Sequence, residues 1–219
     1  MWCIATLNQE YRQRMYHLLE LYAQPLRRDE PIVCVDEKSL QLLHHSRTPM
    51  PMKPGSIRKE DYEYVRRGTC NLFVAVQPKA GVRTVVITDH RAKTDFVAFV
   101  RHLLATTYRG VRCLHLVLDN LNTHFAASFV DVLGERRAAK LLRRVQFHYT
   151  PKHASWLNMA EIEIGVMARQ CLSTGFENRD MLEQHVEDWE QRRNRQRRTI
   201  EWTFTKLAAD VKLGRHYVS

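Results

Sequence analysis

Three carboxylates in this chain have sequence contexts that suit chemistry. Asp36 follows the apolar run IVCV, Asp119 follows LHLVL, and Glu161 lies in the helix-forming segment NMAEIEIG. An acidic side chain at the carboxyl end of a buried strand points into the crevice where open α/β sheets bind ligands. Three converging carboxylates repel one another unless cations lie between them, which predicts a site for two Mg²⁺ or Mn²⁺ ions. In a basic protein such a site indicates phosphodiester chemistry.

Each carboxylate also has an ordinary structural interpretation. An Asp after a strand can serve a turn or cap a helix, and Glu161 can be a solvent-facing helix residue. Glu163 competes with Glu161 for the third position. The two glutamates lie about 200° apart around a helix, so both cannot face the same metal site.

Several polar residues are candidates for orienting the carboxylates or a phosphate. His124 lies five residues after Asp119, and His153 precedes Glu161 by eight. An isolated histidine is more often a packing or hydrogen-bonding residue, so a direct role is the less common outcome for each. The remaining candidates for this outer layer are Glu37, Asn120 and Asn158.

The charge of the chain favours a polyanionic partner. Lys and Arg number 34 against 24 Asp and Glu, for a formal net charge of +10. Nucleic acid is the first candidate. The run QRRNRQRR at 191–198 can be a solvated helix face, but its density favours phosphate contacts. The arginines predicted to bind DNA are Arg192, Arg193, Arg195, Arg197 and Arg198.

The cysteines and the hydropathy pattern predict a soluble, cytoplasmic protein. The five cysteines contain no C-x-x-C pair and lie mostly in apolar stretches, as expected for reduced core residues. No apolar run reaches the roughly 18 residues that a membrane-spanning helix needs. The sequence therefore predicts no membrane partner.

The elements that must position the carboxylates alternate between strand and helix. Apolar runs separated by PKAG predict an antiparallel hairpin, and helical spacing follows it. This order predicts an α/β fold: a mixed sheet of an antiparallel hairpin plus parallel strands, flanked by helices. The predicted strands are 32–36, 70–77, 82–89, 113–118 and 145–150; the predicted helices are 8–24, 93–107, 125–133 and 154–171, with a long loop at 44–64 and a helical C-terminus.

Three motifs carry a resemblance to a known family. VCVDEKS, LVLDNLNTH and YTPKHASWLNMAEIE together resemble the transposases of the insertion sequence six-thirty family, in the mariner superfamily, and WEQRRNRQRRTIEWTF resembles their C-terminal region. The resemblance implies a ribonuclease H-like fold, two Mg²⁺ ions and cut-and-paste movement of DNA. It also implies that Asp36, Asp119 and Glu161 are the catalytic metal ligands, which selects Glu161 over Glu163.

The resemblance implies a domain organisation and partners as well. We expect an N-terminal linker helix at 1–30, a ribonuclease H-like catalytic core at 31–175 and a basic helical extension at 176–219. Transposon ends and target DNA are the implied substrates, and a homodimer is implied in the synaptic complex. In a bacterial cell such a protein would be cytoplasmic, and nucleoid-associated when bound to DNA.

Two departures from the family pattern lead to further expectations. The spacing from Asp119 to Glu161 is long, and the segment GERRAAKLLRR at 134–144 is the predicted insertion. The family's helix-turn-helix region has no room before Asp36, so we expect a catalytic fragment, a reading frame separated from its DNA-binding half, or a decayed copy. The alternatives are a ribonuclease H-like nuclease or resolvase, and a non-catalytic DNA-binding or dimerisation remnant.

Overall fold

The fold is a mixed five-stranded sheet with helices on both faces, as predicted. The computed structural model describes residues 7–45, 54–55, 64–120, 124–173 and 175–217. The strands are β1 (Ile32–His45), β2 (Tyr64–Gln77), β3 (Val82–Thr88), β4 (Leu114–Leu118) and β5 (Val145–Tyr149). The helices are α1 (Gln9–Ala23), α2 (Lys93–Ala105), α3 (Ala126–Leu133), α4 (Glu135–Leu142), α5 (Met159–Gln170), α6 (Arg179–Arg195) and α7 (Lys206–Leu213), with 3-10 turns at Ser155–Leu157 and Gly214–His216.

The strand order places the first and fourth strands side by side. The order across the sheet is β3-β2-β1-β4-β5, in which β1, β4 and β5 are parallel and β2 is antiparallel to both of its neighbours. Cys34 pairs with Val117 in the parallel part. Asp36 and Asp119 each lie two residues beyond this pair, so their side chains project at the same level from β1 and from the end of β4.

Alternation along the strands assigns the two aspartates to one face of the sheet. Val33 and Val35 pack into the core beneath α2 and α3, whereas Cys34 and Val117 pack against α1 and the start of α5. Successive strand residues point to opposite faces. Asp36 and Asp119 therefore share the α1 and α5 face with Cys34 and Val117.

Strands β1 and β2 are longer than the apolar runs predict. Each has 14 residues, whereas the prediction ended the first strand at Asp36 and began the second at Cys70. The antiparallel pairing between β1 and β2 continues well past the last parallel pair with β4, so polar side chains do not end the strand. Most of the predicted loop at 44–64 lies outside the described residues.

The predicted insertion at 134–144 folds as a helix of its own. Helix α4 follows α3 directly at Gly134, whose φ of 75° favours glycine. Ala138 is buried in the core beneath α2 and α3. The segment thus adds a packed helix to the face of the sheet opposite the two aspartates.

Helix α6 covers the free edge of β3. The backbone N–H of Val85 donates to Glu190 Oε2 (2.8 Å), and Asn194 both donates to and accepts from the backbone of Arg83 (2.8 Å each). Unpaired groups on an edge strand are a template for association with other chains. The α6 side chains form hydrogen bonds with these backbone groups in place of another strand.

The remaining composition-based predictions concern thiols and membranes. Within the described ranges four cysteines are free, at positions 34, 70, 113 and 171, and the first, second and fourth of these are buried. Among the residues that the structure describes, no helix combines the length and apolar character needed to cross a membrane.

Candidate active site

The two aspartates and Glu161 form what we call the carboxylate edge. Asp36 and Asp119 project from β1 and the end of β4 on one face, and Asp119 keeps 29% of its side chain exposed. The backbone N–H of Glu37 donates to Asp36 Oδ1 at 2.8 Å, which fixes one oxygen of that carboxylate. The edge is therefore open to solvent on the Asp119 side.

Asn158 places Glu161 at this edge. It caps the start of α5, where its Oδ1 accepts from Ala160 N (3.1 Å), and its Nδ2 donates to the carbonyl of Val35 (2.8 Å). Val35 immediately precedes Asp36, and Asn158 is 1% exposed. One buried side chain thus ties the first turn of α5, which carries the exposed Glu161, to the strand that carries Asp36.

The pKa of Asp36 reports the charge that accumulates here. The pKa of Asp36 is raised to about 7, chiefly by burial and also by the negative charges of Asp119, Glu161 and Glu37, while the hydrogen bond from Glu37 N opposes the rise. The carboxylates are close enough to repel one another. The charged groups that shift the pKa of Asp36 are all negative.

His124 joins Asp119 to Glu37. Its Nδ1 lies 2.9 Å from Asp119 Oδ1, its Nε2 lies 2.8 Å from Glu37 Oε1, and its ring packs on Phe96. Burial lowers the pKa of His124, but the hydrogen bonds to Asp119 and Glu37 outweigh burial and raise it to about 9. The imidazole is therefore protonated at neutral pH and donates to both carboxylates.

Glu37 anchors this bridge from the other face of the sheet. As the residue after Asp36 it points away from the carboxylate edge, and its side chain is 4% exposed. Its Oε1 accepts from His124, while its Oε2 is buried without a hydrogen-bond partner among the described residues. A buried carboxylate oxygen without a hydrogen-bond partner destabilises the fold. Unsatisfied negative charge is therefore present at Glu37 as well as at Asp36.

Asn120 and His153 are placed differently from the other candidates. Asn120 donates to the carbonyl of Thr150 (2.8 Å) and accepts from Arg14 (3.2 Å), so it ties the end of β4 to β5 and α1. His153 is exposed in the turn before α5, with a φ of 63°. Neither side chain hydrogen-bonds to Asp36, Asp119 or Glu161 in the part of the chain that the structure describes.

Glu163 belongs to a second, buried group of charges, which we call the ion cluster. The Glu163 carboxylate is 0% exposed and accepts from Arg83 (2.9 and 3.3 Å) and from Arg193 (3.1 and 3.1 Å). The two glutamates of α5 therefore lie on different sides of the helix, as their spacing predicts. Sequence analysis missed the cluster, because Arg83 has the pattern of an outward-facing residue in a strand.

The arginine run at 191–198 does not present one continuous surface. Arg193 is committed to the ion cluster, and the carbonyl of Arg198 accepts a hydrogen bond from Arg83. The run ends against Gly81 in the β2–β3 turn, at the amino end of β3. Arg192, Arg195, Arg197 and Arg198 keep exposed side chains.

The donor atoms of the carboxylate edge suit a hard divalent cation. Oxygen ligands from two Asp and one Glu are the kind that Mg²⁺ and Mn²⁺ prefer. As the side chains stand, no three acidic, histidine or cysteine groups of the described ranges enclose a metal-sized site. The fit therefore rests on donor type and on the unbalanced charge at Asp36.

A family of known proteins matches most of this chain. The family described as DDE superfamily endonuclease matches residues 31–183, which include the whole carboxylate edge. No curated protein is similar enough in sequence to count as a match.

Solved structures of the Mos1 mariner transposase have a similar fold. The paired-end complex with Mn has a TM-score of 0.56 at 15% identity, covering 89% of this chain and 60% of that one. The strand transfer complex has a TM-score of 0.63 at 13% identity, with coverages of 95% and 61%. The paired-end complex with Mg has a TM-score of 0.57 at 14% identity, with coverages of 100% and 66%. The chain thus spans 60% to 66% of the length of these three structures.

Proposed function

The chain belongs to the DDE superfamily endonucleases, and we propose that it is the catalytic domain of a mariner-type transposase. In this function it hydrolyses phosphodiester bonds at transposon ends and joins the freed 3′-hydroxyl to target DNA. The observation that carries the proposal is the carboxylate edge, where the charges of Asp119 and Glu161 add to burial in raising the pKa of Asp36 to about 7. The narrower resemblance to the insertion sequence six-thirty family stays a prediction.

Asp36, Asp119 and Glu161 would hold the two divalent cations that this chemistry needs. Bound Mg²⁺ or Mn²⁺ supplies charge stabilisation to the phosphoryl group under attack. The fit is supported by the oxygen donor set and by the mutual repulsion of the three side chains. A cation at this edge would relieve the repulsion that acts on Asp36.

The surrounding side chains hold the carboxylates in place. Asn158 sets the position of Glu161 through its cap and its hydrogen bond to Val35. His124 donates to Asp119 and is held from behind by Glu37, so the Asp119 carboxylate keeps one oxygen fixed and the other available. Asn120 and His153 are proposed to orient phosphate or neighbouring groups only when DNA is present.

The partners follow from the same proposal. The related Mos1 structures are complexes with transposon ends, which supports double-stranded DNA as the partner of this chain and a homodimer that brings two ends together. The exposed arginines of the 191–198 run are proposed to contact phosphates. The proposal includes a cytoplasmic, nucleoid-associated location in bacteria. It also includes the division of the chain into a linker helix at 1–30, a catalytic core at 31–175 and a basic extension at 176–219.

Substitution of Asp119 tests the catalytic assignment. Asp119→Asn keeps the size of the side chain but removes a charged ligand, so we expect Mg²⁺-dependent nicking of supercoiled plasmid to fall on the order of a hundredfold or more. The matched control is Asp188→Asn, an exposed aspartate on α6 that should cut normally. Undiminished cutting by Asp119→Asn, with the fold intact by circular dichroism, would reject the assignment.

The products separate this function from the alternatives. A ribonuclease H-like nuclease or resolvase would give only hydrolysis, whereas a transposase joins a pre-cut end to a second DNA. A non-catalytic remnant would bind no divalent cation at the carboxylate edge. Calorimetric titration with Mg²⁺ and Mn²⁺, repeated on Asp119→Asn, detects that binding without requiring activity.

A further inference from the structure

A second positively charged region lies between α2 and α4. The two helices border an open groove of about 470 Å³, which we call the α2–α4 groove. Leu104 and Leu141 contribute apolar atoms to it, and both also pack into the core beneath the sheet. Its cationic lining residues are Arg101, Arg137, Lys140 and Arg144, and no carboxylate of the described residues lines it.

The cations of the groove lack carboxylate partners. Arg101, Arg137 and Lys140 are exposed, and none forms an ion pair with any residue in the described ranges. Nearby, Asp131 is already paired with Lys93 at 2.8 Å. Uncompensated like charges in one groove repel one another, and this repulsion destabilises the folded protein.

Arg144 is fixed in the groove by the backbone. Its Nη2 donates to the carbonyls of Tyr108 (3.1 Å), Arg109 (2.8 Å) and Val111 (3.2 Å), just after the end of α2. These neutral acceptors orient the guanidinium without cancelling its charge. The groove therefore combines one immobilised cation with three on flexible stems.

The groove is separate from the carboxylate edge. The N–H of Leu114 donates to the carbonyl of Arg144 (2.8 Å), which places Arg144 at the amino end of β4, whereas Asp119 follows its carboxyl end. Five residues of strand span roughly 16 Å. The groove also lies on the α2 side of the sheet, and the carboxylates lie on the α1 and α5 side.

From these observations we infer that the α2–α4 groove binds the phosphate backbone of a DNA segment other than the one at the carboxylate edge. The choice of DNA as the polyanion rests on the proposed function. Flexible cations without a neighbouring carboxylate suit phosphates, which need positive charge and no apolar surface. The groove offers little apolar surface, because its leucines pack mostly into the core. Helix α4, which the sequence marks as an insertion, supplies Arg137 and Lys140, so it extends the DNA contacts of this chain.

DNA binding without metal tests the inference. A fluorescent duplex of arbitrary sequence is titrated in EDTA with the full chain over a series of salt concentrations. The groove variant replaces three cations by alanine, and the control variant removes the same charge elsewhere from exposed arginines. The groove changes are Arg101→Ala, Arg137→Ala and Lys140→Ala; the control changes are Arg28→Ala, Arg91→Ala and Arg215→Ala.

We expect the groove variant to bind at least about tenfold more weakly than the control variant at moderate salt. The slope of log affinity against log salt should fall by about 2 to 3, because each lost phosphate contact releases about one counterion fewer. Equal affinities and slopes for the two variants would overturn the inference. It would also be overturned if the groove variant bound an acidic peptide more weakly than the control variant but bound the duplex equally well.

The two proposals fail in distinguishable ways. The EDTA titration does not involve metal ligation or cutting, so loss of groove binding can be observed even if the native chain never cleaves DNA. Conversely, Asp119→Asn should lose cleavage and retain the full salt slope. If the groove variant binds DNA as tightly as its control while Asp119→Asn loses cleavage, only the inference about the groove is rejected.

Discussion

The carboxylate edge and the ion cluster are two acidic sites on one helix, and they treat charge in opposite ways. Glu163 is fully buried, and both of its oxygens accept hydrogen bonds from Arg83 and Arg193. Glu161, two residues earlier, is exposed beside Asp36 and Asp119, and the cation that contacts Asp119 is the imidazolium of His124. The same residue type is neutralised in one place and left in excess in the other.

This difference distinguishes a structural carboxylate from a functional one. A buried carboxylate with guanidinium partners serves the fold, because removing any member leaves another charge unpaired. A group of carboxylates that repel one another weakens the fold, and it persists where an additional cation completes the site. The predictions below separate these two cases by stability as well as by activity.

The largest effect should follow from Glu163→Gln. The substitution leaves Arg83, which is 0% exposed, without its anionic partner. We expect the free energy of unfolding to fall by about 3 to 5 kcal/mol, as for other broken buried ion pairs. Urea denaturation followed by tryptophan fluorescence measures the change. A loss below about 1 kcal/mol would mean that the cluster behaves as a surface ion pair.

The next effect has the opposite sign and follows from Asp36→Asn in metal-free protein. The pKa of Asp36 is about 7 in the folded state against an ordinary value of 3.8. The folded state therefore binds the extra proton, and stability is lost as the pH rises from about 4 through about 7. The full difference in pKa would correspond to about 4 kcal/mol, and partial exposure of Asp36 to solvent reduces it. Because Asn cannot ionise, the variant should be more stable than the native chain by about 2 kcal/mol at about pH 8 and nearly equal to it at about pH 4.

Added Mg²⁺ should reverse this ranking. A cation that binds only the folded native chain stabilises it by mass action, and Asp36→Asn should gain less. The measurement is thermal unfolding at about pH 8 with EDTA and then with Mg²⁺. Equal gains for both proteins would place any bound cation away from Asp36.

His124 provides a smaller effect with its own pH window. Its pKa of about 9 exceeds the ordinary value of 6.5, so its contribution to stability is complete below about pH 6.5 and is lost as the pH rises through about 9. His124→Gln keeps a polar side chain that can donate to one of the two carboxylates but carries no charge. We expect the native chain to lose about 1 kcal/mol more than this variant between about pH 7 and pH 9.5, as measured by urea denaturation.

Much of the fold was predictable because its signals are local. The runs at 70–77 and 82–89 predict the β2–β3 hairpin, and the periodicity of 93–107 predicts α2. The full length of β1 was not predictable, because residues after Asp36 stay in the strand through pairing with β2, which the local pattern does not encode.

The contacts that decide roles in the two acidic sites lie far apart in sequence. Glu37 and His124 are 87 positions apart, and Arg83 and Glu163 are 80 apart. Each residue alone has the pattern of an ordinary polar position. Only tertiary packing brings the pairs together, so sequence analysis could name Glu37 and His124 as candidates but could not predict the bridge. The ion cluster was missed entirely.

The smallest expected change in stability comes from Glu161→Gln, the counterpart of Glu163→Gln on the same helix. Glu161 is exposed, so its loss should alter the free energy of unfolding by less than about 0.5 kcal/mol. Its negative charge raises the pKa of Asp36, so the variant should also move the metal-free stability loss of Asp36 to lower pH. The pH dependence of urea denaturation in EDTA detects this shift. An unshifted pH profile would place Glu161 outside the carboxylate edge. A shifted profile with an unchanged free energy of unfolding would show that Glu161 serves the chemistry of the site, whereas Glu163, two residues later, serves the fold.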